Sequence, residues 1–353
     1  MQGTITQKRV RNSALVVSVA LVLAACSGTS EAPGDNDDNS DGTNDEVTTV
    51  RMTIEPSAIP VFIAADRGFF EGVKVTPSEV GYGEVQALLL SGDTDIAWMS
   101  PIEAAEFNAE GSDFKYFSTA GAQNMYNGVV VQTEDASMYK SVTDLMGKKL
   151  GIPGFGTGTW TSFASFTKAF YGIDDAKAEF EVVTADSGAL LALLEKGEID
   201  AALLFSGTSA AARSFDQFTT IFSFTEAMQE ATGEPLPVNG SVATTKWLEE
   251  NPDAAAKVIA GIDKATEWIN DNPDAFSEGG EYSDLAEAAG WLTGPETTQT
   301  VQKLISEGKW FLTSDIYTQD WIDATYELIK TGAAAGTSVA DKDAVFIKPD
   351  ALS

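Results

Sequence analysis

The sequence predicts an α/β protein of two lobes, each a mainly parallel sheet flanked by helices, and a repeated phrase, an alternating order of apolar runs and the chain length all lead there. The phrase at 88–97, LLLSGDTDIA, returns at 193–202 as LLEKGEIDAA, so that Asp95 and Asp200 stand 105 residues apart. Each copy reads as the apolar end of a helix, a Gly suited to the left-handed C′ position, an acidic turn and a short buried strand. Two similar α/β units are implied. With 353 residues, 43% of them hydrophobic, the chain can build a sizeable core, and its length suits two domains. Two lobes enclose a cleft, and clefts bind ligands.

The elements follow in βαβ order: strand 50–55, helix 59–70, strand 73–79, helix 84–90, strand 95–99 and helix 101–110. Residues 115–120 and the Val-rich 128–132 then lead into a second cycle. It comprises strand 149–153, helix 160–170, strand 180–184, helix 189–196 and strand 201–205. A further strand is expected at 241–244, beyond Pro235 and Pro237, and a helix at 252–271. That helix has Asn251 as its cap, Pro252 in the first turn, Val258, Ile262, Ala265 and Ile269 along one face, and Asn272-Pro273 as its stop.

The N-terminus reads as an export signal. Lys8, Arg9 and Arg11 precede an apolar run at 13–25 that is too short to span a bilayer as a stable helix, and the run closes on LAAC, ending at Cys26. This resembles the bacterial lipoprotein box, which implies lipidation of Cys26, the single cysteine, and attachment to the cell membrane on its extracytoplasmic side. Residues 27–48 are rich in Ser, Gly, Asn, Asp and Glu and read as a disordered acidic tether. Within it Asp37, Asn39 and Asp41-Gly42 imitate half of a calcium loop, but Thr48 stands where the closing Glu should be, so no metal site is expected. Residues 333–353 read as a loosely packed C-terminal extension.

Lys and Arg total 22 against 53 Asp and Glu, a net charge of −31, which disfavours nucleic acid and other phosphate-rich partners. The absence of His excludes Ser-His-Asp and Cys-His nucleophile systems and His-ligated metals. Carboxylate pairs could do acid/base work, yet carboxylates are so abundant that no pair stands out. No cofactor and no enzymatic activity are expected.

The run at 60–75, PVFIAADRGFFEGVKV, resembles the opening of nitrate/taurine-type ABC importer substrate-binding proteins. The segments GDTDIA at 92–97, DLMGKKLGI at 144–152, GEIDAA at 197–202 and WLEENPD at 247–253 follow in that family's order. The resemblance covers about residues 50–275. It implies a type II periplasmic-binding fold with two inter-lobe crossings, near 126–132 and 235–241. Lobe 1 would comprise 49–128 plus 238–332, and lobe 2 residues 129–237. It further implies a monomeric receptor that closes on a solute and docks an ABC permease with its ATPase. Nitrate, sulfonates, pyrimidines, flavins and aromatic acids are all ligands of such proteins. The pyrimidine synthases that share the fold use His and a Cys-rich segment, which this chain lacks.

In open α/β sheets ligands sit beyond the carboxyl ends of the strands, at helix N-termini. That rule selects Ser57, Tyr82, and Trp98 with Met99 and Ser100 in lobe 1. In lobe 2 it selects the loop Gly154, Phe155, Gly156, Thr157, Gly158, Thr159 and Trp160, then Asp186 with Ser187, and Phe205 with Ser206. The 154–160 loop combines three glycines with two hydroxyls at a helix start, which suits close approach to a ligand and equally suits a capped turn. It is not a dinucleotide fingerprint, because its third required Gly is Thr159. Tyr82, Trp98, Phe155, Trp160 and Phe205 can serve either as stacking platforms or as core. Asp186 either faces the cleft, against a strongly anionic ligand, or caps the next helix. These loops contain no Lys or Arg, which favours a neutral or weakly charged aromatic or heterocyclic ligand. A small anion held by helix N-termini is the alternative. A surface sensor or adhesin lipoprotein would keep the leader and tether but would not need hinged lobes.

Overall fold

The chain is described by a computed structural model over residues 47–55, 58–80, 84–155, 157–333, 338–348 and 351. Strands β1 (Thr48–Ile54), β2 (Val73–Glu79), β3 (Ile96–Met99) and β4 (Phe114–Ser118) alternate with helices α1 (Ile59–Asp66), α2 (Val85–Ser91) and α3 (Pro101–Ala109). The second cycle holds β5 (Gly128–Gln132), β6 (Lys149–Ile152), α4 (Gly158–Tyr171), α5 (Ala176–Glu179), β7 (Glu181–Thr184), α6 (Ser187–Glu195), β8 (Ala201–Leu204), α7 (Ser206–Ser214), β9 (Phe218–Ser223) and α8 (Phe224–Thr232). Strand β10 (Gly240–Thr244) is followed, among the described residues, by helices: α9 (Thr245–Glu250), α10 (Pro252–Asp271), α11 (Ser283–Ala288), α12 (Pro295–Ser306), α13 (Gln319–Gly332) and α14 (Lys342–Val345).

The strands form two five-stranded sheets of matching order, β2-β1-β3-β10-β4 and β7-β6-β8-β5-β9. In each sheet one strand, β10 or β5, runs against the other four. That reversed strand is the one the chain enters on arriving from the other sheet. Central β3 and β8 are buried along their whole length, as expected of strands covered by helices on both faces.

The sequence repeat maps onto this symmetry. Gly92 (φ 74°) and Gly197 (φ 67°) take the left-handed conformation that ends a helix. Asp95 donates its N–H to the Arg51 carbonyl at 2.9 Å, and its Oδ2 accepts from the Arg51 N–H at 2.8 Å. Asp200 repeats both bonds with Lys149, at 2.9 and 2.8 Å. These aspartates sit at the amino ends of β3 and β8, opposite the loops selected as the site. The repeat is therefore an architectural stitch that points to two lobes without contributing to a cleft.

The crossing runs lie slightly earlier than the expected 126–132 and 235–241. Residues 128–132 already belong to the second sheet, and the crossings are 119–127 and 224–239. They pair with each other: Met125 N–H donates to the Leu236 carbonyl at 2.7 Å and Val238 N–H to the Gln123 carbonyl at 2.8 Å. A third segment flanks them, with Asn124 N–H bonded to the Trp310 carbonyl at 2.9 Å and Leu312 N–H to the Ala122 carbonyl at 2.8 Å.

Two expectations need correction. Asn251 precedes α10 but does not cap it. Its Nδ2 instead donates to the Trp247 carbonyl at 3.0 Å, closing α9, because the one-residue gap between α9 and α10 makes the same residue the end of the first helix. The C-terminal segment does not pack loosely over 338–348. Val345 and Phe346 are buried in the core beside Phe114, Tyr116 and Trp321, and Phe346 bridges to Tyr116. The Ala/Gly composition upstream gave no hint of this late apolar pair. The apolar face of α10 is as read, with Val258, Ile262, Ala265 and Ile269 all buried.

Replacing Asp200 with Ala removes an acceptor from the Lys149 N–H and leaves the Tyr139 hydroxyl without its 3.3 Å partner. Loss of about 1 to 3 kcal/mol in urea unfolding is expected, with the ligand-free fold retained in circular dichroism.

Candidate functional site

The sheets direct the carboxyl ends of β1, β3, β6, β7 and β8 toward the loops that the strand-end rule selects. At β3 the structure favours the core over the cleft. Trp98 (4% exposed) packs with Ile54, Val61 and Phe117, and Met99 lies on the opposite face of the same sheet beside Tyr116. Alternation along a strand sends neighbours to opposite faces, and both faces here are covered. Ser100 caps α3. Its hydroxyl accepts from Glu103 N–H at 3.1 Å and its own N–H donates to Glu103 Oε2 at 3.0 Å, a closed capping box.

In the 154–160 loop, Thr157 donates its hydroxyl to the Gly154 carbonyl at 2.8 Å and accepts from Trp160 N–H at 3.2 Å, so this hydroxyl builds the turn that starts α4. Gly158 opens the helix, and Thr159 is half-buried. Trp160 is buried, 5.8 Å from Phe163 in the second-lobe core. Phe155 is 40% exposed and meets the Trp160 ring edge-to-face at 5.1 Å. Asp186 is exposed and makes no side-chain cap bond to α6, which Ser187 opens. Phe205 is 40% exposed ahead of α7, which Ser206 opens. Ser57, Tyr82, Gly156 and Cys26 lie outside the described residues.

The flank at α7 is shut by protein. Ala210 packs in one cluster with Ile59, Ile63 and Trp291, and a Cβ at Gly207 would stand 2.1 Å from the Gly290 carbonyl oxygen. Only a residue without a side chain fits there.

The flank at α3 and α4 holds a cavity of about 510 Å³, within the usual size of ligand pockets. Ile102, Ala105 and Glu106 on α3 form one wall, and Trp160, Thr161 and Lys168 on α4 form the other. Phe155 and the start of α5 close one side, and Ile329, Gly332 and Val339 another. Lys168 Nζ donates to the Ala333 carbonyl, and Lys177 Nζ sits 4.6 Å from the Phe155 ring centroid. Partial desolvation, reinforced by Glu103 and Glu110, raises the Glu106 carboxyl above its ordinary value, although the residue is exposed.

The strand-end rule therefore finds Phe155 and Trp160 but misses Glu106, Lys168 and Lys177, which lie along helices. Trp160, Ala164 and Lys168 recur at helical spacing on one face of α4, a pattern visible in the sequence. It acquires meaning only when α3 and α13 stand opposite. At the end of β1, Glu55 is buried and accepts from Asn239 Nδ2, which ties the first strand to the second crossing. Among the described residues, no group of three or more Cys, Asp or Glu is placed to hold a metal ion, and no helix is long and apolar enough to cross a membrane.

The family model described as NMT1/THI5 like matches residues 55–276, more than half of the chain. The chain belongs to the NMT1/THI5-like family. No curated protein sequence matches it. Solved structures share its fold at low identity. The putative sulfonate ABC transporter periplasmic sulfonate-binding protein SsuA of Methylobacillus flagellatus KT has a TM-score of 0.63 at 15% identity, covering 86% of this chain and 92% of its own. The periplasmic aliphatic sulphonate binding protein SsuA of Escherichia coli has 0.59 at 14%, covering 79% and 91%. A Candida albicans gene product described as having the generic periplasmic binding protein fold has 0.53 at 16%, covering 84% and 92%. The family assignment agrees with the resemblance read from 60–75, and the two-lobed periplasmic-binding architecture is the one expected.

Trp160, buried in the second-lobe core, serves structure first. Trp160→Ala is expected to lower unfolding free energy by about 3 to 5 kcal/mol, because it empties a well-packed core site. Denaturant titration checks this, and a change below 1 kcal/mol would return Trp160 to the binding surface.

Proposed function

We propose that this chain is the extracytoplasmic solute-binding receptor of an ABC importer. It binds a small aromatic or heterocyclic molecule between its lobes and passes that molecule to a membrane permease driven by an ATPase. It acts as a monomer and does no chemistry on its solute. Cys26, lipidated and left as the first residue once 1–25 are removed, holds it to the membrane, and residues 27–48 serve as the tether. Residues 49–128 and 238–332 form lobe 1, and 129–237 form lobe 2.

The observation that carries this reading is the pair of matching five-stranded sheets joined by two hydrogen-bonded crossings. Such a frame lets a ligand bind in a seam whose walls come from both halves, so closure and binding share one free energy. Phe155 and Phe205, each 40% exposed, support an organic ligand over a bare anion. The hydroxyls of Ser100 and Thr157, which could have served an anion, are engaged in helix caps. A sulfonate or similar small anion is the second reading, favoured by the two SsuA neighbours, which are sulfonate-binding proteins.

Native mass spectrometry of freshly purified protein, followed by denaturation, is expected to release and weigh one bound small molecule. Small-angle scattering with that molecule restored should show compaction. Absence of compaction with a confirmed ligand would replace the importer reading with the sensor or adhesin class.

A further inference from the structure

The cavity between α3 and α4 differs in chemistry from the neutral loops around it. Three carboxylates, Glu106, Asp174 and Asp175, face two ammonium groups, Lys168 and Lys177. Both ammonium groups are engaged, Lys168 with the Ala333 carbonyl and Lys177 over the Phe155 ring. Asp175 is occupied as well, accepting from the N–H groups of Lys177 and Ala178 at 3.1 and 3.2 Å. The side chains of Glu106 and Asp174, both exposed, make no hydrogen bond among the described residues. Around them stand an aromatic pair at 5.1 Å and the apolar side chains of Ile102 and Ile329.

We propose that this groove is the part of the site that selects the solute, and that the solute is a flat aromatic or heterocyclic cation whose charge is met by Glu106. The proposal rests on the solute-binding reading and narrows it to one chemical class and one flank. Three arguments support it. The lining carries three carboxylates against two ammonium groups, and the two carboxylates without a protein partner can meet a cation, whereas both ammonium groups hold contacts that an anion would have to displace. The Phe155 ring already attracts an ammonium group, that of Lys177, and its exposed remainder offers the same quadrupole to a ligand. Glu106, exposed yet partly desolvated at the groove wall and close to Glu103 and Glu110, is held above its ordinary pKa, a cost that a cationic partner relieves.

The walls belong to different lobes, α3 to the first sheet and α4 and α5 to the second. An occupant therefore contacts both only when they are close, and its affinity is linked to closure. Lys168 stands eight residues beyond Trp160, roughly 12 Å along the helix, so the groove is long enough for a ring with a charged arm.

Isothermal titration calorimetry of the intact chain with tryptamine and with indole-3-acetate tests the idea, since the two probes share a ring and differ in charge. Tryptamine should bind at a single site at least about tenfold more tightly than indole-3-acetate. Glu106→Gln should weaken tryptamine by about tenfold, and Phe155→Leu by several-fold, with circular dichroism unchanged for both. Both positions are exposed, so neither change threatens folding. Failure of tryptamine to bind, equal binding of the two probes, or an unchanged Kd in both folded variants overturns the proposal. Compaction with some other solute under any of those outcomes leaves the receptor reading standing and removes only this one.

Discussion

The architecture depends on the hydrogen-bonded ribbon in which the two crossings run side by side. Backbone amides leaving one sheet for another would be buried without partners, at a cost of a few kcal/mol in all, unless the crossings satisfy each other. Met125 with Leu236 and Val238 with Gln123 do so, and the 310–312 segment pairs with the outer edge of the first crossing. Each crossing then delivers its chain into a sheet as the single reversed strand, β5 or β10. The same ribbon thus fixes the topology of both sheets and supplies the axis for the proposed closure.

That axis is not free. The C-terminal helices reach across both flanks. On one side α12 packs on α7 near the Gly207–Gly290 contact. On the other, α13 carries Trp321 in the first lobe's core and Leu328 in the second's, and the Trp321 Nε1 donates to the Pro235 carbonyl at 3.1 Å. A close-packed interface yields by discrete repacking rather than by gradual strain. The proposed opening of the lobes would therefore slide α13 over α4 and part α7 from α12. The groove between α3 and α4 opens on the flank that α13 spans, so its width follows the same movement.

Charge plays a different part from packing. The ion pairs between acidic and basic side chains lie at the surface, such as Arg51 with Asp95 at 2.6 Å and Lys342 with Asp323 at 2.6 Å, and exposed pairs contribute little to stability. Buried aromatics carry the fold, among them Trp291, Trp310 and Trp321. The large acidic excess acts at longer range, keeping molecules apart and enriching cations near the surface. A groove with unmatched carboxylates is in keeping with that field.

The sequence by itself determined whatever is decided among neighbours in the chain. The repeat around Asp95 and Asp200 and the apolar face of α10 are both short-range patterns, and each lies where it was read, whereas Ser100, read as a ligand contact, caps α3. The pairing of two similar lobes is another such pattern, because a local motif written twice folds twice. Tertiary structure alone decided which aromatics face solvent. Trp98 and Phe155 occupy like positions beyond or at strand ends, yet one is sealed by helices on the first sheet and the other stands at an open seam. It also decided the groove, whose walls come from residues near 105, 165 and 330, and the closure of the α7 flank against Gly290. No periodicity encodes such meetings, because they arise from where the chain returns after two crossings, and that return is fixed by packing summed over the whole molecule.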